Sequence, residues 1–97
     1  MPLLDHLLGL RAEIRTPAAA NGARDVRIFG SVARGEERPE SDVDVLVDLD
    51  PGGTLFDLAA LEERLESLLG RPVQVATARE LRDPVRRAAE RDAVRVA

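Results

Sequence analysis

Two aspartates, Asp42 and Asp44, have the clearest chemical potential in this chain, and they stand at the start of an apolar run. The run reads Asp-Val-Asp-Val-Leu-Val-Asp and predicts an extended strand, in which alternate side chains point to the same face. Asp42, Asp44 and Asp48 would therefore share one side of the strand. Two neighbouring carboxylates repel each other unless a cation lies between them, and their oxygens suit Mg²⁺. The pair predicts a magnesium site.

A second candidate segment lies upstream, where residues 26–29 read Val-Arg-Ile-Phe and are followed by Gly30 and Ser31. The β-forming residues predict a strand, and the Gly-Ser step predicts its end and the start of a short helix. Free backbone N–H groups at such a start can face an anion. Glycine lets the main chain approach a phosphate closely, and Ser31 adds a hydroxyl donor. Gly35 is expected to end the turn, and residues 36–40 to form an exposed loop.

Each feature alone also has an ordinary structural explanation. A Gly-Ser step is usually a turn with a capping serine, and Ser41-Asp42 is more often a loop-to-strand transition. The glycine segment is not a P-loop, because Glu36 stands where that motif has its lysine. The ordinary explanations do not require a strand, a Gly-Ser turn, a loop and an Asp-x-Asp strand in that order. The combination indicates a site that holds a nucleotide phosphate beside a divalent metal.

Hydrophobic periodicity predicts an α/β domain that positions these residues. Leucines at helical spacing from Leu3 predict a first helix that stops near Thr16-Pro17. The Asn21-Gly22 step marks the turn into the first strand. The first strand would then lead into the Gly-Ser turn.

The carboxyl-terminal half continues the alternation. Thr54 and Asp57 resemble a capping box that opens a long helix, which Gly70 closes. Residues 72–76 predict a third strand. Asp83-Pro84 predicts the start of a last helix, with the aspartate as N-cap. The final segment, 93–97, is either a short strand or frayed.

Composition limits the class of protein. The 97 residues predict a single domain, 1–97. A net charge of −4, with two Phe and no Trp or Tyr, argues against long nucleic acid as a partner. The absence of cysteine excludes thiolate catalysis and zinc-thiolate sites, and the absence of lysine excludes a catalytic lysine. Without a signal-peptide pattern or a membrane-spanning apolar run, we expect a cytoplasmic protein with no membrane contact.

These motifs carry a family resemblance. Segment 30–35, which reads Gly-Ser-Val-Ala-Arg-Gly, and segment 41–44, which reads Ser-Asp-Val-Asp, resemble the signature of the minimal nucleotidyltransferases. Those proteins are small members of the DNA polymerase β nucleotidyltransferase superfamily. The resemblance covers most of the chain and implies a small mixed β-sheet of the nucleotidyltransferase palm type, with about three to four strands flanked by helices. It also implies transfer of a nucleoside monophosphate from ATP or another nucleoside triphosphate to an acceptor hydroxyl, with Mg²⁺.

The resemblance implies a role for each matching position. Gly30 and Ser31 would hold the triphosphate. Asp42 and Asp44 would bind two metal ions, which activate the attacking oxygen and neutralise the leaving one. Arg34 would reach a phosphate oxygen with its fork of donors, although a solvated turn arginine or a partner contact explains it equally well.

Gln74 departs from the family pattern. Active members usually carry a third catalytic carboxylate on the next strand, and the matching triplet here is Val73-Gln74-Val75. Glutamine coordinates weakly through its carbonyl but cannot accept a proton or supply a third negative charge. Either Asp48 or a carboxylate from a partner compensates, or the site binds nucleotide and metal with impaired chemistry.

Two classes of function stay open. The first is an enzyme that moves AMP, or another nucleotide, to a hydroxyl of a protein or small molecule. The second is a protein that neutralises its partner by binding alone, because minimal nucleotidyltransferases are often encoded beside HEPN-domain proteins and act as their antitoxins. We expect no additional acceptor-binding region in a chain this short, which disfavours modification of aminoglycoside-type small molecules. We therefore expect a homodimer or a HEPN-type partner to complete the site.

Overall fold

The computed structural model describes residues 2–97 and shows helices packed on a four-stranded sheet. A 3₁₀ turn at Ala78–Glu80 precedes the last helix. Within the described residues no helix is both long and apolar enough to span a bilayer. The elements in chain order are α1 (Leu3–Gly9), α2 (Arg11–Ala20), β1 (Ala23–Phe29), α3 (Gly30–Arg34), β2 (Val43–Leu49), α4 (Leu55–Leu69), β3 (Val73–Ala76), α5 (Val85–Asp92) and β4 (Val94–Arg95).

The sheet is mixed, with the strand order β3-β2-β1-β4. Strand β1 pairs antiparallel with β2 and with β4, whereas β2 and β3 run parallel. The predicted α/β class and the range of three to four strands are both confirmed. The central position of β2 explains its composition, because Val43, Val45 and Val47 are each at most 1% exposed and a strand covered by helices must be apolar.

The core lies between the sheet and helices α1, α2 and α4. Leu7 and Ile14 contribute from the amino-terminal helices, and Leu58, Leu61 and Leu65 form the buried stripe of α4. The capping box at Thr54 and Asp57 is confirmed, since the Thr54 N–H donates to Asp57 Oδ2 at 2.9 Å, and α4 ends at Gly70 as predicted.

The predicted first helix is wrong in its boundaries. The chain forms two helices that are separated at Leu10, and the second continues through Pro17 to Ala20. Proline cannot donate a helical hydrogen bond, which usually ends or kinks a helix. Here Pro17 and Ala18 are buried against the core, and that packing offsets the missing bond.

One other boundary differs from the prediction, and the structure decides between the two alternatives for the final segment. Helix α5 has Pro84 rather than Asp83 at its N-cap, because the Asp83 side chain instead pairs with Arg86 at 3.3 Å. Residues 94–95 form β4 rather than a frayed end, and Val94 pairs with Ile28 of β1. Strand β4 therefore anchors the end of α5 to the centre of the sheet.

Strand β3 lies at an edge of the sheet, and α4 covers its outward N–H groups. The Val73 N–H donates to Glu66 Oε2 at 3.0 Å, and the Val75 N–H donates to Glu62 Oε1 at 3.1 Å. These glutamates occupy the donors that an added strand would use. They also fix the strand on both sides of Gln74.

Candidate functional site

Strands β1 and β2 bring the glycine segment against the aspartates. Their antiparallel register places Phe29, the last residue of β1, opposite Asp44. Gly30 follows with a φ of 72°, and a Cβ at that position would overlap the Asp44 Oδ2 atom. Glycine is therefore required twice, for its backbone conformation and for the close approach of the carboxylate. The predicted proximity of the Gly-Ser turn and the aspartates is confirmed.

Asp42 and Asp44, the candidate pair, carry negative charge that no arginine cancels by direct contact. Asp42 immediately precedes β2, Asp44 is its second residue, and both are partly buried. Burial raises the pKa of the Asp44 carboxyl, and the nearby charge of Asp42 raises it further. Neither aspartate forms an ion pair with any residue in 2–97. Two carboxylates that repel each other in this way fit a divalent cation such as Mg²⁺.

Gln74 lies beside the candidate pair. The parallel register of β2 and β3 places Gln74 next to Asp44, and its Nε2 donates to Asp42 Oδ2 at 3.1 Å. The side chain therefore sits where the family resemblance implies a third carboxylate. Gln74 donates a hydrogen bond to the pair instead of adding charge. Within residues 2–97 no three Asp, Glu, His or Cys side chains come together as a metal-binding group.

Asp48 does not supply the missing carboxylate. It lies on β2 four residues beyond Asp44, about 13 Å away along an extended strand. Its Oδ1 atom pairs with Arg27 Nη2 at 3.2 Å. Leu46, which alternation places on the same face, is fully buried between them. Asp48 is therefore held in a separate ion pair.

The loop that delivers Asp42 is fixed at both ends. Gly35 ends α3 with a φ of 71°, and the Glu36 N–H donates to the Ser31 carbonyl at 2.8 Å. The Arg38 N–H donates to Ser41 Oγ at 2.8 Å. Arg71 Nη1 donates to the Ser41 carbonyl at 3.3 Å. Sequence reasoning missed Arg71, because its only local signal is a position just before the third strand.

Arg34 is held by carboxylates on both sides. Its Nε donates to Glu36 Oε1 at 2.7 Å, and its Nη1 donates to Asp92 Oδ2 at 3.1 Å. These bonds raise the pKa of the Arg34 guanidinium, and the bond from Arg34 lowers the pKa of Asp92. Arg34 is still close enough to the candidate pair for its charge to lower the pKa of Asp44. Asp92 was not predicted, because no local pattern links residues so far apart in the chain.

Two grooves on residues 2–97 lie away from the candidate pair. One, of about 770 Å³, is at the far end of β2 and is lined in part by Asp48, Thr54 and Arg79. The other, of about 500 Å³, lies beside Leu3 and Arg71. Neither is lined by the candidate pair or by Gln74. Gln74 is exposed and Asp42 is only partly buried, so the candidate site lies at the protein surface.

The sequence matches the family model of the nucleotidyltransferase domain over residues 10–96. The chain belongs to this family. The protein adenylyltransferase MntA of Thermococcus cleftensis is 39% identical over 75 residues, which are 77% of this chain and 76% of that protein. MJ0435 of Methanocaldococcus jannaschii, named provisionally as a protein adenylyltransferase, is 44% identical over 57 residues. That match covers 59% of this chain and 61% of the relative.

Solved structures agree with this membership. A structure described as a minimal nucleotidyltransferase superposes with a TM-score of 0.81 at 43% sequence identity, covering 94% of this chain and 93% of the other. A toxin–antitoxin structure with AMP-PNP gives a TM-score of 0.75 at 18% identity, covering 90% of this nucleotidyltransferase-family chain and 72% of the other. The second match shows a shared fold. The predicted family is confirmed.

Proposed function

We propose that this chain transfers AMP from ATP to a hydroxyl group of a partner protein. The observation that carries the proposal is the candidate pair, whose two carboxylates form no ion pair within residues 2–97 and of which Asp44 lies against Gly30. Membership in the nucleotidyltransferase family supports this class of reaction. The choice of a protein acceptor is supported by relatives that are named as protein adenylyltransferases.

The proposed reaction is an exchange at the α-phosphorus of ATP. The acceptor oxygen forms a bond to that phosphorus, the bond to the bridging oxygen breaks, and pyrophosphate leaves. The acceptor proton passes to water, because Gln74 has no basic atom that could accept it. Mg²⁺, when bound, neutralises phosphate charge and aligns the reacting oxygens.

The chain's own residues bind and orient the substrate in this proposal. Asp42 and Asp44 would hold the metal, which would neutralise phosphate charge beside them. The backbone of Gly30 passes close to the pair, and Ser31 donates its hydroxyl to the triphosphate. Arg34 binds a phosphate oxygen. The two-metal arrangement implied by the family resemblance remains a prediction, with the triphosphate supplying the ligands that two carboxylates do not.

The acceptor is proposed to be a HEPN-type toxin, with this chain as its antitoxin. The similar fold of toxin–antitoxin structures supports this assignment. The open surface around Asp42 and Gln74 also supports it, because a partner would have to cover the site to exclude water. A homodimer would provide a second source of that cover.

A second function is favoured by Gln74, whose amide donates to Asp42 where the family resemblance implies a carboxylate. In this alternative the chain binds nucleotide and toxin, and neutralises the toxin by association alone. The two functions share a surface and differ in turnover. Gln74 is the residue that separates them.

Transfer of labelled phosphate from ATP to a co-encoded HEPN-type protein tests the proposal. We expect label in that protein from ATP labelled at the α-phosphate and none from ATP labelled at the γ-phosphate. The Asp42→Asn/Asp44→Asn protein should transfer nothing. Label from the γ-position, or label that persists in the double variant, would contradict the proposed reaction. Toxin neutralisation without any label in the wild type would favour association alone.

A further inference from the structure

Two contacts fix Arg34, and they differ in kind. Glu36 lies two residues away on the same turn, and its side chain is 64% exposed. Asp92 comes from the end of α5, 58 residues along the chain, and its side chain is only 15% exposed. A local exposed pair holds an arginine weakly. The tertiary contact with Asp92 is the one that ties Arg34 to the rest of the fold.

The element that carries Asp92 is itself anchored. Helix α5 ends at Asp92, and β4 follows at once, pairing with Ile28 and Arg27 in the centre of the sheet. Ala89 of α5 and Val96 after β4 are both buried. The fold therefore fixes the backbone from which the Asp92 carboxylate extends. Strand β1 sets the position of Asp92 relative to Gly30, because it pairs with β4 and its last residue directly precedes α3.

The contacts leave Arg34 with donors to spare. A guanidinium has five N–H donors, and Glu36 and Asp92 each accept one, from Nε and Nη1. Nη2 donates to no residue in 2–97. Nη2 is thus free to donate a charge-assisted hydrogen bond to a phosphate oxygen.

We propose that Asp92 is a positioning residue, which holds the guanidinium of Arg34 beside the candidate pair so that Arg34 binds the triphosphate. This inference rests on the proposed function. Asp92 touches neither substrate nor metal, and it acts through Arg34. Without it, the long arginine side chain would sample several rotamers and lose side-chain entropy each time it bound a phosphate.

A double-mutant cycle tests the proposal by calorimetry with ATP and Mg²⁺. We expect Asp92→Asn to weaken ATP binding about fivefold, a loss of the size found for one partly exposed charged contact. Asp92→Glu should recover most of the affinity. On an Arg34→Gln background, Asp92→Asn should have no further effect, because the group it positions is gone. Asp83→Asn is the matched control, since it removes another aspartate–arginine pair of α5, with Arg86, away from the site.

A second arm needs no nucleotide. The Nη1–H resonance of Arg34, which reports the donor that Asp92 accepts from and is assigned by its loss in Arg34→Gln, should be sharp and protected from water exchange in the wild type and in Asp83→Asn. It should broaden in Asp92→Asn. An unchanged resonance overturns the proposal, as does equal weakening of ATP binding in both Arg34 backgrounds. If the wild type binds no ATP, the proposed function and the nucleotide role of Asp92 both fail. The resonance alone then reports whether Asp92 fixes Arg34.

Discussion

Strand β2 has an Asp-x-Asp pair at each end, and the two pairs have different neighbours. Asp48 and Asp50, the distal pair, are each matched by an arginine from β1. Arg27 pairs with Asp48 and Arg24 pairs with Asp50, both at 3.2 Å. The candidate pair at the other end has no such partner within residues 2–97, and its one side-chain hydrogen bond there comes from the Gln74 amide.

The difference separates a structural use of acidic residues from a functional one. The distal pair is exposed and ion-paired, so it contributes little to stability and leaves little charge to attract a cation. The candidate pair places a partly buried carboxylate beside a second one, and burial and repulsion raise the pKa of Asp44. Arginines cancel the carboxylate charge at the distal end of β2 but not at the candidate end. The uncompensated charge of the candidate pair therefore indicates a functional site.

The largest effect is expected from Gly30→Ala, which disrupts the contact between residue 30 and the Asp44 carboxylate. The new Cβ would overlap Asp44 Oδ2, and the residue would also keep a positive φ. Backbone strain alone costs about 1–3 kcal/mol, and the overlap adds to it. We expect a lower free energy of unfolding, measured in urea, together with loss of ATP binding.

Gly35→Ala is the matched control for Gly30→Ala. Gly35 has nearly the same φ, 71°, but no atom lies within 4 Å of a Cβ placed there. It should therefore show the backbone strain alone and retain ATP binding. Equal destabilisation and equal loss of binding in the two variants would mean that the contact between Gly30 and Asp44 is unimportant.

A smaller effect is expected from Gln74→Asp, which sharpens the contrast by adding a third negative charge. Without Mg²⁺ the variant should lose about 1 kcal/mol of stability, because like charges a few ångströms apart repel by about that much in water. Mg²⁺ should restore it. If the missing carboxylate limits the chemistry, transfer should rise by about 100-fold, the lower end of general-base contributions. Gln74→Asn shortens the side chain by the same one methylene group without adding a charge, so its stability should not depend on Mg²⁺.

The smallest effects are expected in the pH dependence of stability without metal. The pKa of Asp44 is raised in the folded state, so its ionisation opposes folding as pH rises above the unfolded value of about 3.9. The pKa of Asp92 is lowered by the Arg34 hydrogen bond, so its contribution is present above that value and is lost as pH falls. Asp44→Asn should therefore stabilise the protein at about pH 7, and Asp92→Asn should destabilise it.

Urea unfolding in EDTA at about pH 7 and at about pH 3 checks both signs. Both differences from the wild type should shrink at the acid pH, where the carboxyls are protonated in the unfolded chain. Stabilisation by Asp92→Asn at about pH 7 would show that its pairing with Arg34 is not favourable. Destabilisation by Asp44→Asn would show that the candidate pair is not under repulsion.

The local signals in the sequence predicted the parts of the fold that depend on local chemistry. The Gly-Ser turn, the capping box at Thr54 and the closing glycine of α4 are set by backbone demands that few residue types meet. The end of the first helical segment was predicted wrongly at Pro17, because burial of this residue offsets its missing N–H donor and no local pattern reports burial. The N-cap of α5 was wrongly predicted to be Asp83, whose side chain pairs with Arg86 instead.

The candidate site divides in the same way. The proximity of Gly30, Asp42 and Asp44 follows from two adjacent strands, and the sequence order alone predicts it. The partners of the charged groups do not follow, because they depend on the register of distant elements. Asp48 was one of the alternatives for the missing carboxylate and is held by Arg27, while Asp92 reaches Arg34 from the last helix. Sequence spacing predicts which groups a site contains, and the fold decides which of their charges are cancelled.

Calorimetry of ATP binding with and without Mg²⁺, on two matched double variants, tests the central claim most directly. Asp42→Asn/Asp44→Asn and Asp48→Asn/Asp50→Asn make the same chemical change at the same spacing on the same strand. We predict Mg²⁺-dependent ATP binding in the wild type and in the distal variant, and none in the candidate-pair variant. Equal binding by the two variants, or loss of binding only in the distal one, would contradict the assignment of the nucleotide site to Asp42 and Asp44.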